Sequence, residues 1–271
     1  MNYIAVAQLN STDNIEANFS QVTEQIHAAA KLNPKPQIIF FPENTLYFRI
    51  NSKDFIEAVN LQHSIVKKIE KLAESSGLYV HYTTAVEISG KIFNSSLLVS
   101  PDGKTEIIYN KIHLFDVAIP GQTPISESQV FSRGEFSRVF SIGDMNIGST
   151  ICYDVRFAEL FGIYAKLGVH AVVVPSAFLV KTGQAHWMTL LKARAIESQC
   201  FVIASAQSGK HNSTKFPGEF RETFGHSAVF DPWGDLVAIK ESGTGVFTAS
   251  LDLTRCEAVR RSIPMASHRR L

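Results

Sequence analysis

Twice along this chain the same succession occurs: an apolar run, a segment with helical spacing, and a second apolar run that ends on a proline. The first copy is YIAVAQL (3–9), then Ile15, Phe19, Val22 and Ile26, then QIIFFPEN (37–44). The second is MNIGSTIC (145–152), then Leu160, Phe161, Tyr164 and Leu167 closed by Gly168, then VHAVVVPSA (169–177). Short apolar runs without polar alternation read as strands buried on both faces, and a crossover helix is what lets two such strands lie parallel. The duplication predicts two sheets, or two halves of one sheet, with helices packed outside.

Around the copies, Ile65, Ile69 and Leu72 predict a helix, and LYVHYTTAVE, KIFNSSLLVS and TEIIYN read as consecutive strands with PDG (101–103) as a turn. A helix over Gly183–Ser198, a strand at CFVIASAQ (200–207), three short strands and a helix near 254–261 follow. The polar stretch SGKHNSTKFPGEFRE (208–222) reads as a mobile loop able to shape a substrate mouth. No linker rich in Gly, Ser or Pro divides the copies, so residues 1–271 are expected to form one domain.

With 271 residues, 45% of them apolar and 19% charged, the chain has material for a large core. A formal charge of +1 implies no nucleic-acid partner. No apolar run reaches the length of a membrane span, and MNYIAVAQLN lacks a basic leader and a cleavage site, so no membrane partner and a cytoplasmic location are expected. The three scattered cysteines, Cys152, Cys200 and Cys256, make neither a disulfide framework nor a CxxC metal pair.

In open α/β architectures ligands bind beyond the carboxyl ends of the strands. Glu43 follows QIIFFP, Lys111 follows TEIIYN, and Cys152 closes MNIGSTI. Singly, each has a plainer reading: a small buried hydrophobe for the thiol, a helix cap for the glutamate, a solvated edge for the lysine. Cys200 and Cys256 keep that structural reading. Together the three groups suffice for amide cleavage through a thioester. A thiol attacks as the thiolate, a carboxylate takes its proton and returns it to the leaving amine, and a fixed ammonium with a backbone N–H stabilises the oxyanion. His113, His186 and His226 lack the close spacing of metal ligands. A Cys–His pair is chemically sound, but it leaves Glu43 and Lys111 without a purpose.

FPEN, YNKIHLFD and ICYDVRFAEL, in that order, resemble the three catalytic motifs of the nitrilase, or carbon–nitrogen hydrolase, superfamily, and the likeness covers nearly the whole chain. The resemblance implies an α/β fold, a four-layer α-β-β-α sandwich, with a Glu43–Lys111–Cys152 triad and no cofactor or metal. It implies an auxiliary glutamate, matched by Glu127 in PISESQ, and the Tyr153 N–H as oxyanion donor. It also implies a homodimer or higher homo-oligomer packed about residues 156–167, where Leu160, Phe161 and Tyr164 fit such a contact or an internal core equally well. His113 and His226 are expected to be packed and hydrogen-bonded beside the site.

Within the family, HLFDVAIPGQ, SAFLVKTGQAHW, KARAIESQCFVIASAQSGKH, GHSAVFDPWG and RRSIPMASHRR resemble most the branch that includes deaminated-glutathione amidases. The substrate so implied is glutathione with its amino group replaced by a keto group, split to 2-oxoglutarate and Cys-Gly. The sister branch of ω-amidases acting on 2-oxoglutaramate, or another small aliphatic or carbamyl amide, is the alternative; acyl transfer to an amine and a non-enzymatic scaffold rank below. Such an anionic small-molecule amide needs cationic or N–H-rich walls. Phe178, His186, Arg194, Lys210 and His211 are the candidates for substrate contact, with Lys181 and Arg221 as further cations; each singly also reads as core or surface. Arg156 and Glu159 have the spacing of an ion pair on one helix face. Substitutions of Lys111 and Glu43 are expected to lower the rate with little change in melting temperature. Two places depart from the branch pattern: FPENTLYFRINSKDF, with Asn44 and a Tyr-Phe-Arg run after the glutamate, and the long stretch 212–222. Both can border a pocket.

Overall fold

The computed structural model describes residues 1–118 and 124–270. The first half runs β1 (Asn2–Gln8), α1 (Ile15–Ala30), β2 (Ile38–Phe40), α2 (Ser64–Ser76), β3 (Tyr79–Ile88), β4 (Lys91–Val99) and β5 (Thr105–Asn110). The helices begin and end on local chemistry. The Asn14 side chain accepts from the Ala17 N–H at 3.0 Å, and α2 stops at Gly77, whose φ of 66° needs no Cβ and whose N–H returns to the Ala73 carbonyl. A two-stranded ribbon follows, β6 (Asp116–Val117) with β7 (Ile125–Ser126). Residues 119–122 of the HLFDVAIPGQ motif lie outside the described residues.

The second half runs β8 (Val139–Ile142), β9 (Met145–Ser149), α3 (Ala158–Lys166), β10 (Ala171–Val173), the single turn α4 (Val180–Thr182), a wide π-type turn Gly183–Trp187, α5 (Met188–Ser198) and β11 (Phe201–Ala204). Then come β12 (Ser208–Asn212), β13 (Phe220–Phe224), β14 (Ser227–Phe230), β15 (Leu236–Lys240), β16 (Gly245–Leu251), α6 (Thr254–Ser262) and α7 (Met265–His268).

The duplication read from the sequence is two sheets, not two halves of one. One has the order β16-β1-β2-β3-β4-β5 and the other, read from its matching edge, β8-β9-β10-β11-β14-β15. Both show the same succession of pairings: antiparallel, parallel, parallel, antiparallel, antiparallel. Alternate residues divide the layers, as the two-residue period of a strand requires. Ile4 and Val6 of β1 meet Ala171 and Val173 of β10 in a core between the sheets. Ala5 and Ala7 turn the other way, onto Val22 and Ile26 of α1 and Ile65 and Ile69 of α2. Val172 likewise packs beneath Phe161 and Tyr164 of α3 and Leu191 and Ala195 of α5. This is the expected α-β-β-α sandwich.

One expectation is corrected. The stretch 208–222 is an ordered hairpin, with β12 and β13 paired from Ser208–Phe224 to Asn212–Phe220. Of the two readings open for Leu160, Phe161 and Tyr164, the internal one holds: all three are buried in the core under α3 and α5. Leu167, read on the same face, is exposed at the end of α3.

Candidate active site

The two halves place β2, β5 and β9 so that the residues after them converge. Small residues make the sharp turn after β9 possible. A Cβ on Gly148 would stand 2.7 Å from the Tyr164 ring, and that ring must lie flat on the strand for its hydroxyl to reach the Ser149 carbonyl. Beyond it the Thr150 hydroxyl bonds the Val173 carbonyl at 2.7 Å and the Cys152 N–H bonds the Pro175 carbonyl at 2.9 Å. Cys152 is thereby held at φ 48°, in the left-handed region that a residue with a side chain seldom occupies. Asn44, next to Glu43, has φ 58°. The chain is strained on both sides of the same cavity.

Lys111 is fully buried and its Nζ lies 2.8 Å from Glu43 Oε1 and 2.8 Å from Glu127 Oε2. Glu43 Oε1 also accepts from Asn94 Nδ2 at 2.9 Å, and Oε2 from the Ala177 N–H at 3.0 Å. Glu127 accepts in addition from the Phe115 N–H at 2.8 Å. Burial pulls Lys111 down, but Glu127, Glu43 and Cys152 outweigh it and hold its ammonium well above the ordinary lysine value. Burial, opposed by Lys111 and reinforced by Glu43, raises Glu127. Burial and the Glu43 charge push the Cys152 thiol well above its usual range, against the pull of Lys111 and the Ala177 N–H. The resting site is a neutral thiol beside a tightly held carboxylate.

A cavity of about 60 Å³ opens over Cys152, lined by Glu43, Lys111, Glu127 and Tyr153, with Arg156 and Phe178 on its walls. It shares Asn44, Ile125, Glu127, Leu179, Arg221 and Glu222 with an outer chamber of about 720 Å³. Of the substrate-contact candidates, Phe178 lines the inner cavity, as does Arg221. The others do not. Arg194 is buried, with its Nε on the Val155 carbonyl, Nη2 on the Arg156 carbonyl and Nη1 on Glu197, so it holds the turn after Cys152. His186 is exposed and meets the Arg156 guanidinium. Lys210 is exposed over the Phe220 ring, and His211 is buried between the Ser11 carbonyl and the Thr223 hydroxyl. Lys181 is exposed on α4.

His113 bonds Asp154 at 2.7 Å and stacks on Phe157, and His226 stacks on Phe224. Cys200 and Cys256 are buried, the first against the Ser198 hydroxyl. Among the described residues no group of three His, Cys, Asp or Glu side chains is placed to hold a metal.

Two residues were missed or misread. Asp154 is fully buried and accepts from Tyr109 Oη, the Ile151 N–H, and the His113 N–H and Nδ1, so it ties the Cys152 turn to the strand end that carries Lys111. An acidic residue two beyond the cysteine, at the start of a turn, was the available signal. Arg156 makes no ion pair with Glu159 among the described residues; it turns to the cavity, over the rings of Phe178 and Tyr153.

The carbon–nitrogen hydrolase family profile matches residues 3–261. The chain is 38% identical to "Probable hydrolase nit2" of Schizosaccharomyces pombe over 98% of this chain and 96% of that one. It is 36% identical to the human "Deaminated glutathione amidase", over 98% of this chain and 82% of that protein. The crystal structure of the Caenorhabditis elegans NitFhit protein superposes with a TM-score of 0.85 at 34% identity, covering 99% of this chain and 65% of that one. This chain spans 60% of the full nematode fusion protein.

Proposed function

The chain belongs to the carbon–nitrogen hydrolase family and is a hydrolase of non-peptide C–N bonds; on that premise we propose that it cleaves deaminated glutathione through a thioester on Cys152. The observation that carries this reading is Lys111 bridging Glu43 and Glu127 at the floor of the cavity into which a strained Cys152 opens. Support for the substrate comes from the human relative's name and from the cations Arg156 and Arg221 on the walls, where a dianionic amide needs them.

The thiol is neutral at rest, so its proton moves to Glu43 as sulfur attacks the carbonyl carbon. Two of the three Lys111 protons serve Glu43 and Glu127, and the third, with the Tyr153 N–H, meets the oxygen on which negative charge develops. Collapse of the tetrahedral intermediate breaks the C–N bond while Glu43 returns the proton to the departing amine, leaving a thioester. Water then enters, Glu43 takes its proton, and a second tetrahedral intermediate breaks the C–S bond to release the acid and the thiol. Glu127 keeps Lys111 charged throughout.

The test is a hydrolysis panel of deaminated glutathione, 2-oxoglutaramate, simple aliphatic amides, carbamyl amino acids and nitriles, run on wild type and Cys152→Ala. Deaminated glutathione is expected to give the highest kcat/KM, and Cys152→Ala to lose all turnover with its melting temperature retained. Undiminished turnover in the variant ends the mechanism; preference for a nitrile or carbamyl compound ends the substrate assignment alone.

A further inference from the structure

The two segments that depart from the branch pattern pack on each other across the outer chamber. Lys215 of the hairpin joins Tyr47 Oη at 2.7 Å and Glu57 at 2.7 Å. Asp13 takes the Thr214 N–H at 2.7 Å and the Ser213 hydroxyl. Arg221 Nη1 donates to the Arg49 carbonyl at 3.1 Å. Arg49 and Arg221 both line the outer chamber, and Arg221 lines the inner cavity as well. Both residues are half-buried, and among the described residues neither forms an ion pair. The nearby Glu127 is already held by Lys111 and the Phe115 N–H, while Glu219 and Glu222 are exposed on the chamber's hairpin wall. Burial and the charge of Arg49 pull Arg221 below the usual arginine value, against the opposing charge of Glu127. Two like charges on one cavity wall, with no ion pair among the described residues and only the already engaged Glu127 acting on Arg221, are suited to an anion, and a carboxylate is the group that guanidinium forks hold best.

We propose that Arg49 and Arg221 form a receptor for a carboxylate on the amine side of the scissile bond, so that the enzyme selects amides whose leaving amine is itself an acid. The inference rests on the amidase reading of Cys152. The space over the thiol is too small for both halves of a substrate of tripeptide size. The half that departs before water enters belongs on the open side, in a chamber whose volume is typical of small-molecule sites.

Three amides of 2-oxoglutarate test it: one releasing ammonia, one a dipeptide with a free carboxylate, and one the same dipeptide capped as its carboxamide. The wild type is expected to show a KM about tenfold lower for the free carboxylate than for the capped form. Arg49→Gln is expected to abolish that difference through KM with kcat within about twofold, to leave the other two substrates unaffected, and to be partly rescued by Arg49→Lys. Equal KM values for free and capped forms in the wild type, or a uniform rise on all three substrates in Arg49→Gln, overturn the receptor. No turnover of any substrate overturns the amidase reading instead. The receptor is then read by calorimetric binding of the free dipeptide to Cys152→Ala, which must weaken on adding Arg49→Gln and otherwise sinks it.

Discussion

Glu43 and Lys111 touch each other, yet their variants should fail differently. Glu43→Gln keeps Lys111 balanced by Glu127, so the fold is expected to survive while turnover falls by about 10²–10⁴ for loss of the base. The Glu43 charge is also one of the forces holding the Cys152 thiol up. Its removal lowers that pKa, and Cys152 in Glu43→Gln is expected to be alkylated by iodoacetamide faster than wild type at neutral pH, as peptide mass spectrometry would measure. Slower alkylation would mean that losing Glu43 as proton acceptor outweighs the fall in pKa, and would overturn the expected acceleration. Lys111→Met instead strands two carboxylates without a counter-ion in a buried place. A cost of about 3–5 kcal/mol is expected in denaturant unfolding, which revises the sequence-based expectation of an unchanged melting temperature. Glu43, Lys111 and Cys152 were legible because each closes an apolar run. Asp154 and Arg156 were not, because their partners lie on other strands and rings that only the folded chain brings near.

At the scale of elements, the hairpin shows where hydropathy stops being informative. Its buried members are Ser208, His211 and Thr223, polar groups that enter the interior through hydrogen bonds, so the stretch reads as a loop although it pairs as two strands. His211 is the pin. The Ser11 carbonyl can only accept, which places the ring proton on Nδ1 and leaves Nε2 to accept from the Thr223 hydroxyl. Burial pushes His211 down to about 4, opposed by its bond to Ser11 and aided by Arg221. The folded form therefore stays neutral while the unfolded chain takes up a proton near pH 6.5. Its stabilising contribution is complete above that pH, declines as pH falls, and is lost by about pH 4, a change of up to roughly 3 kcal/mol. Urea unfolding of wild type and His211→Asn at several pH values in that window checks this: the variant's stability should depend less steeply on pH. Parallel curves would remove His211 from the account.

For the whole molecule, the site is a product of the two sheets meeting. Glu43 and Lys111 end strands of the first sheet, while Cys152 and the Ala177 N–H that fixes Glu43 follow strands of the second. The repeated strand–helix–strand pattern made two layers legible, but not how they face each other, because alternate residues on each inner strand are apolar on both sides. Relative placement is set in the layer between the sheets, where Phe40 packs two residues before Pro42 and three before Glu43. Ile26 is as fully buried, but in the layer between α1 and the first sheet. Phe40→Ala is expected to cost about 3–5 kcal/mol and Ile26→Ala about 2–5 kcal/mol. Their effects on catalysis should separate at a temperature where both variants are fully folded. Truncation between the sheets lets the strand under Glu43 settle toward the second sheet, and a displacement of the base by a fraction of an ångström lowers kcat, whereas truncation outside the first sheet leaves kcat near wild type. Equal kcat values for the two variants would mean that the bonds of Glu43 to Lys111, Asn94 and Ala177 hold the site regardless of how the sheets pack.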